Sequence, residues 1–196
     1  MPPLAVVLIV FFALLLLRIP IAIVLISSTI VGLLLAPTPI PLSQLPVAMW
    51  QGINHFVLLA IPFFILMGDL ALASGVTRRL VDLAKAFVGH IAGGLAHVSV
   101  IVNIIMAGMS GSDLADAAAT GKLLIPAMQR VGYPVSYAAS IIAGAATIGP
   151  LIPPSIAFII FAAATESSVG RLFLGGAIPG LLLGGLLMLQ AYFVAK

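Results

Sequence analysis

Apolar residues run almost without interruption from Pro3 to Ala36, and an apolar run of this length predicts membrane-crossing helix. As one helix it would be roughly 51 Å long, against about 30 Å of hydrocarbon in a bilayer. Arg18 and Pro20 interrupt the run near its middle, so the pattern predicts two spans, residues 3–17 and 19–36, with Arg18 snorkelling at the junction. The prolines of Pro37-Thr38-Pro39-Ile40-Pro41 delete amide donors and bias their predecessors toward extended backbone, which predicts a loop at a membrane face. A third span is expected over residues 47–73, with Trp50 as an interfacial anchor and Pro62 as a kink.

The periodicity then changes. Arg78, Arg79, Asp82 and Lys85 alternate with Leu80, Val81, Leu83, Ala84 and Phe87, predicting an amphipathic helix along the membrane surface over residues 77–90. Residues 91–129 are apolar again but break at Gly108-Met109-Ser110-Gly111-Ser112. Each arm is too short to cross comfortably, which favours a re-entrant helical hairpin whose tip stops inside the membrane. Residues 137–164 form the next crossing, interrupted by Gly149-Pro150 and Pro153-Pro154, and residues 172–194 form the last. The expected architecture is an all-α polytopic membrane protein of five spans plus one re-entrant helical hairpin, with one discontinuous helix among the spans. In segments, it reads as scaffold-like spans over 1–75, a surface arm over 76–90, the hairpin over 91–130, the discontinuous span over 131–168 and the last span over 169–196.

Charge orients this arrangement. With the Arg18 junction cytoplasmic, Arg78, Arg79, Lys85, Arg130 and Lys196 fall inside, leaving Arg171 as the basic residue of an outer loop, which fits the positive-inside rule with a periplasmic N-terminus. An odd number of crossings means that a second copy of the unit would be inverted, as in many secondary transporters. No basic leader precedes the first apolar run, so no cleavable signal peptide is expected.

Composition narrows the function classes. The 196 residues are 63% hydrophobic and 7% charged, which excludes a water-soluble globular domain. The eight Lys and Arg residues are scattered along the chain, so there is no nucleic-acid-binding face. Cysteine is absent, which removes disulfides, thiolate metal sites and Cys nucleophiles. His55, His90 and His97 lack metal-ligand spacing, and no Walker-type phosphate loop is present.

Two breaks concentrate the candidate chemistry. If helices flank Ala107-Gly-Met-Ser-Gly-Ser112, the arriving helix offers unpaired carbonyls and its negative dipole end, and the departing one offers unpaired amides and its positive end. Ser110 and Ser112 add hydroxyl oxygens, and Ser112 suits an N-cap; turning or packing by Gly and Ser is an equally good reading of those residues alone. In Thr147-Ile-Gly-Pro-Leu-Ile-Pro-Pro-Ser155, three prolines free carbonyls that must face protein, water or an ion, which favours a discontinuous helix over a plain kink. Asp113 and Asp116 fall at the start of the departing helix, where an intramembrane carboxylate points to function and a capping carboxylate in a wet crevice is the alternative for Asp116. Asp69 and Glu166 are expected at the interface, Met106 and Met109 as fillers near the tip, and Gly176, Gly180 and Gly184 as a helix-packing face. An enzyme reading rests on Gly108-Met109-Ser110-Gly111, which fits the G-x-S-G around the nucleophile of rhomboid-type intramembrane serine proteases. Its base would have to be His97, roughly 20 Å away along the same arm, or His55 on another span, so this is the weaker alternative.

Taken together, Ala60-Ile-Pro-Phe-Phe-Ile-Leu-Met-Gly68, Gly89-His-Ile-Ala-Gly-Gly-Leu-Ala-His97, Gly108-Met-Ser-Gly-Ser112 with Ala115-Asp-Ala-Ala118, Ile125-Pro-Ala-Met128, Gly132-Tyr-Pro134 and Thr147-Ile-Gly-Pro-Leu-Ile-Pro-Pro-Ser155 closely resemble the large membrane subunit of tripartite ATP-independent periplasmic (TRAP) transporters. The resemblance covers the first of that subunit's two inverted halves. It implies a sodium-driven importer of small organic acids, of the C4-dicarboxylate or sialic-acid type, in the bacterial inner membrane. A periplasmic binding protein would deliver the substrate, a small membrane subunit would brace the large one, and a second permease half would complete the fold; transport would follow an elevator mechanism. No cofactor is implied beyond Na+ as the coupling ion. By the same resemblance, Ser110, Ser112 and backbone oxygens around Gly108, Ala145, Thr147 and Gly149 would hold sodium, and Ser110, Gly111, Asp113, Pro150, Pro154 and Ser155 would lie near substrate. Many members carry small residues in place of Asp113 and serines in place of Ala145 and Ala146, so Asp113 is expected to supplement or replace a lost ligand.

Overall fold

The computed structural model describes residues 2–37 and 40–196, and every regular element among them is helical. Two residues of the expected Pro-rich loop, Thr38 and Pro39, lie outside the described residues. The chain divides into two compact units, one ending at Asn54 and the other spanning His55–Lys196.

The first unit contains α1 (Pro3–Leu16), α2 (Ile21–Leu34) and α3 (Gln44–Ile53). Proline sets both starts: Pro3 occupies the first turn of α1, and Pro20 is the N-cap of α2, positions where the missing amide costs nothing. Between them Arg18 adopts φ +59°, a left-handed conformation that terminates α1. The helices α1 and α2 pack on each other, closely enough that a Cβ on Gly32 would stand 3.2 Å from a Val7 methyl.

The expected third span is not one helix. After α3 the backbone breaks at Asn54-His55, makes a 3-10 turn over Phe56–Leu59 and continues as α4 (Ala60–Ala73). Pro62 therefore sits in the first turn of a new helix, where it is tolerated, rather than kinking an existing one. Trp50 belongs to α3 and the crossing-length segment is Phe56–Ala73.

The second unit continues with α5 (Val76–Val88), α6 (Gly94–Ser110), α7 (Asp113–Arg130), α8 (Val135–Ala146), α9 (Ile156–Thr165) and α10 (Val169–Ala195). At its centre is α6, which touches α4, α5, α7, α8 and α10. Its Val98, Val102 and Met106 are wholly buried, against a core that includes Leu124 and Met128 of α7, Ile141 and Ile142 of α8 and Val81 and Ala84 of α5. The outer surface is apolar too: Leu174, Ile178, Leu182, Leu186 and Phe193 of α10 and Phe63 and Leu70 of α4 are each more than half exposed. A surface of that kind requires a nonaqueous surrounding. Among the described residues, Phe56–Ala73 and Val169–Ala195 are the helices both long and apolar enough to cross a membrane unaided. The other apolar helices are 10–17 residues long, and α9 ends at Glu166 with φ +54°.

The glycines of α10 do pack, and their partners are specific. A Cβ on Gly180 would stand 2.7 Å from Ile152, one on Gly184 the same distance from Ile104 of α6, and one on Gly176 would meet Phe158 of α9 and, at 2.5 Å, the Leu151 carbonyl oxygen. Thus α10 supports both α6 and the nonhelical stretch between α8 and α9. Gly176→Val should destabilise the purified chain by about 1–3 kcal/mol through overpacking, read as a lowered thermal midpoint in detergent. Gly175→Val, whose Cβ meets nothing within 4 Å, should leave that midpoint nearly unchanged.

Candidate functional site

The two sequence breaks meet in space. The first is narrower than expected, because α6 runs on through Gly108 and Met109 to Ser110, and only Gly111 and Ser112 stand outside the helices. Gly111 closes α6 in a left-handed conformation, φ +59°, which a residue without Cβ adopts at no steric cost. Ser112 is extended and caps α7, its hydroxyl accepting from the Ala115 amide at 3.4 Å. Asp113 and Asp116 occupy the first turn of α7, where negative charge complements the dipole. The second break runs from Thr147 to Ser155, and the hydroxyl of Ser155, wholly buried, accepts from the Phe158 amide at 3.3 Å to begin α9.

The contact between the breaks is made by main chain. A Cβ on Gly111 would stand 2.6 Å from the Pro154 carbonyl oxygen, and one on Gly108 would stand 3.8 Å from that of Pro153. From the other side, a Cβ on Gly149 would stand 3.2 Å from the Asp113 nitrogen. At Gly111 and Gly149 a Cβ would hold the two segments apart, whereas at Gly108 it would make ordinary van der Waals contact. Third on the scene is α4, where a Cβ on Gly68 would stand 3.3 Å from that of Ser110.

Polar groups fill the interior behind this junction. The Ser110 hydroxyl donates to Asp116 Oδ1 at 2.6 Å and accepts from the Ser112 amide at 3.2 Å. Asp116 is wholly buried, and its Oδ2 has no partner among the described residues. Further along the arms, the Thr120 hydroxyl donates to the Asp116 carbonyl at 2.6 Å, and Asn103 Nδ2 donates to the Ser99 carbonyl at 2.8 Å and to Thr120 Oγ1 at 3.4 Å. No amide of the described residues donates to the carbonyls of Gly108, Met109 and Ser110 at the end of α6, or to those from Gly149 to Pro154. The junction therefore holds main-chain carbonyls without amide partners and, behind them, one buried carboxylate oxygen without a hydrogen-bond partner among the described residues.

A family model described as the tripartite ATP-independent periplasmic transporter DctM component matches residues 8–196. The chain belongs to the DctM family. Among its curated relatives, the C4-dicarboxylate TRAP transporter large permease protein DctM of Pseudomonas aeruginosa is 46% identical over 87% of this chain and 39% of that protein. The sialic acid TRAP transporter large permease protein SiaM of Vibrio cholerae is 45% identical over 76% of the chain and 35% of its own length. The 2,3-diketo-L-gulonate TRAP transporter large permease protein YiaN of Escherichia coli is 47% identical over 74% and 34%. The chain thus spans well under half the length of these DctM-family relatives, and each of them is named as a transport permease, not an enzyme.

The protease alternative fails on both counts. Ser110 is bonded to Asp116 and Ser112, while His97 is near the other end of α6 with Nε2 at 3.1 Å from the Ala92 carbonyl. Of the residues singled out from the sequence, Gly108, Ser110, Gly111, Ser112, Asp113, Gly149, Pro154 and Ser155 belong to the junction of the DctM chain. Ala145 is buried in α8, and its carbonyl accepts from the Ile148 amide at 3.2 Å. Thr147 is exposed, its hydroxyl donates back to the Gly144 carbonyl at 2.7 Å, and its own carbonyl receives no main-chain amide among the described residues. Asp113 is exposed, with Oδ1 accepting from the Leu114 amide at 2.8 Å. Pro150 is half-buried in the second break. Asp116, which the sequence marked as either a functional intramembrane carboxylate or a capping one, and Gly68 were not among the site residues that the resemblance implied; the place of Asp116 one turn after Ser112 lets it face back toward Ser110.

Gly111→Ala forces a Cβ into both the left-handed backbone and the Pro154 carbonyl, whereas Gly132→Ala meets only the backbone penalty, having φ +92° and open space. The first should cost clearly more than the about 1–2 kcal/mol of the left-handed conformation alone, measured as the difference in thermal midpoint between the two variants.

Proposed function

We propose that this chain is the N-terminal half of the large permease of a sodium-coupled importer of small organic acids, and that the junction of hairpin tip and broken helix is its cation site. The observation that carries this reading is the main-chain contact of Gly108 and Gly111 with the Pro153 and Pro154 carbonyls. It is supported by the names of the relatives, which handle C4-dicarboxylate, sialic acid and 2,3-diketo-L-gulonate.

The residues present suit a small hard cation. Carbonyls left free at the C-terminal end of α6 carry the negative end of its dipole, Gly108, Gly111 and Gly149 permit close approach, and Ser110 and Ser112 contribute oxygens. Asp116 joins them as the charge-compensating ligand, because its unpartnered Oδ2 is stabilised by a cation in a place where an isolated carboxylate is costly. Oxygen donors alone favour sodium over transition metals. The exposed start of α7, with the Asp113 amide region facing Gly149, is the surface on which the substrate carboxylate would settle beside the cation, near Pro150, Pro154 and Ser155.

The membrane arrangement follows the same reasoning. Phe56–Ala73 and Val169–Ala195 cross on their own, α8 and α9 cross in series around their break, and α1 and α2 are the short spans of the other unit. The tip of the α6–α7 hairpin is packed against the middle of the discontinuous crossing, so it stops at mid-depth and is re-entrant. With Arg18, Arg78, Arg79, Lys85 and Arg130 inside, the N-terminus is periplasmic in the bacterial inner membrane. A second, inverted half closes the substrate pocket, a small membrane subunit braces the scaffold, and a periplasmic binding protein delivers the acid; the hairpin unit moves as an elevator against the scaffold.

The test is organic-acid uptake into proteoliposomes containing this chain with a second family half, the small subunit and the binding protein. Uptake should require an inward sodium gradient, and equal uptake without sodium would overturn the coupling. Asp116→Asn should raise the sodium concentration for half-maximal uptake by tenfold or more, equivalent to about 1.4 kcal/mol. Asp113→Ala should shift it in the same direction, and sodium dependence identical to the wild type would remove Asp113 from the ligand set.

A further inference from the structure

The start of α5 is electrostatically unfavourable as it stands. Its N-cap is Gly75 in a left-handed conformation, no side chain caps its first amides, and its first turn holds no acidic residue. The first amide to find a partner is that of Arg79, which donates to the Gly75 carbonyl at 3.3 Å. Val76, Thr77 and Arg78 therefore leave unpaired amides at the positive end of the helix dipole, and Arg78 and Arg79 add two cations where that dipole disfavours them.

Beside that helix start is a cavity of about 370 Å³. It is bounded by Leu72 of α4, by Gly75, Thr77 and Arg78, and by Lys122 and Leu123 of α7. Two cations from separate elements reach it and no carboxylate lines it. The Thr77 hydroxyl is turned inward to the Met106 sulfur at 3.7 Å, so Arg78 and Lys122 are the charged groups of a largely apolar lining. Its walls are otherwise aliphatic, and α5 presents Leu83 and Phe87 at 50% and 69% exposure.

We propose that this cavity binds the phosphodiester headgroup of an anionic phospholipid. Arg78, Lys122 and the free amides of α5 hold the phosphate, while Leu72 and Leu123 meet the start of the acyl chains. The aliphatic walls favour a lipid over free phosphate, which needs polar contacts on every side. Because Arg78 belongs to the surface helix and Lys122 to the second hairpin arm, one headgroup ties α5 to the hairpin. The site is separate from the cation junction and its test does not depend on transport.

The chain would be purified in detergent and its thermal midpoint followed during titration with phosphatidylglycerol, phosphatidylcholine or inorganic phosphate. Phosphatidylglycerol should raise the midpoint saturably, with phosphatidylcholine and phosphate much weaker. Lys122→Gln and Arg78→Gln should each weaken the apparent affinity for phosphatidylglycerol by about fivefold, the usual contribution of one basic residue at an anionic lipid surface. Lys122→Arg should retain it, and Arg171→Gln, an exposed cation outside the cavity, should leave it unchanged. Stabilisation by inorganic phosphate alone, or unaltered lipid affinity in both Gln variants, would overturn the proposal.

Discussion

Everything about the second unit depends on how interrupted backbone is accommodated in an apolar setting. A helix that stops inside such an environment leaves carbonyls at one end and amides at the other, and neither can remain without a partner or an ion at low cost. Here the two interruptions are brought against one another, and the surrounding helices are arranged to allow it. The central α6 positions the first break, α10 supports the second through Gly176 and Gly180, and Gly68 of α4 gives Ser110 room. Serine caps at positions 112 and 155 satisfy part of the amide deficit from within the chain, which leaves mainly oxygens pointing inward.

Much of this was legible in the sequence, and the reasons are physical. Prolines at 150, 153 and 154 cannot continue a helix, and Gly111-Ser112 carries both a left-handed terminator and an N-cap, so both interruptions announced themselves. The G-x-x-x-G-x-x-x-G step in α10 likewise announced a close-packed face. The third apolar stretch was read as one helix because Asn54-His55 interrupts it without a strong breaker, and hydropathy does not register a local loss of helical backbone. The width of the first break was overestimated because Gly108 and Ser110 are compatible with a final helical turn. Thr147 was expected to contribute main-chain oxygen, and its hydroxyl bonds back to a carbonyl three residues earlier, a common habit of Ser and Thr in apolar helices.

Asp116 marks the limit of pattern reading. Seen along the chain it is a first-turn carboxylate open to two readings, a functional intramembrane acid or a capping group in a wet crevice. Only the return of α7 against α6 places it next to the Ser110 hydroxyl with its second oxygen enclosed. The neighbouring Asp113, equally well placed by sequence, faces outward. Three residues of separation, nearly one helical turn with an offset of about 60°, decide which of the two acids is interior.

The joint between hairpin and broken helix is built from atoms that every amino acid shares. Gly111 meets a carbonyl oxygen, Gly149 meets an amide nitrogen, and no side chain mediates either approach. Such a joint is indifferent to most changes of residue type around it, provided the glycines remain. A substitution at the rim therefore alters the surface beside the joint without loosening the joint itself.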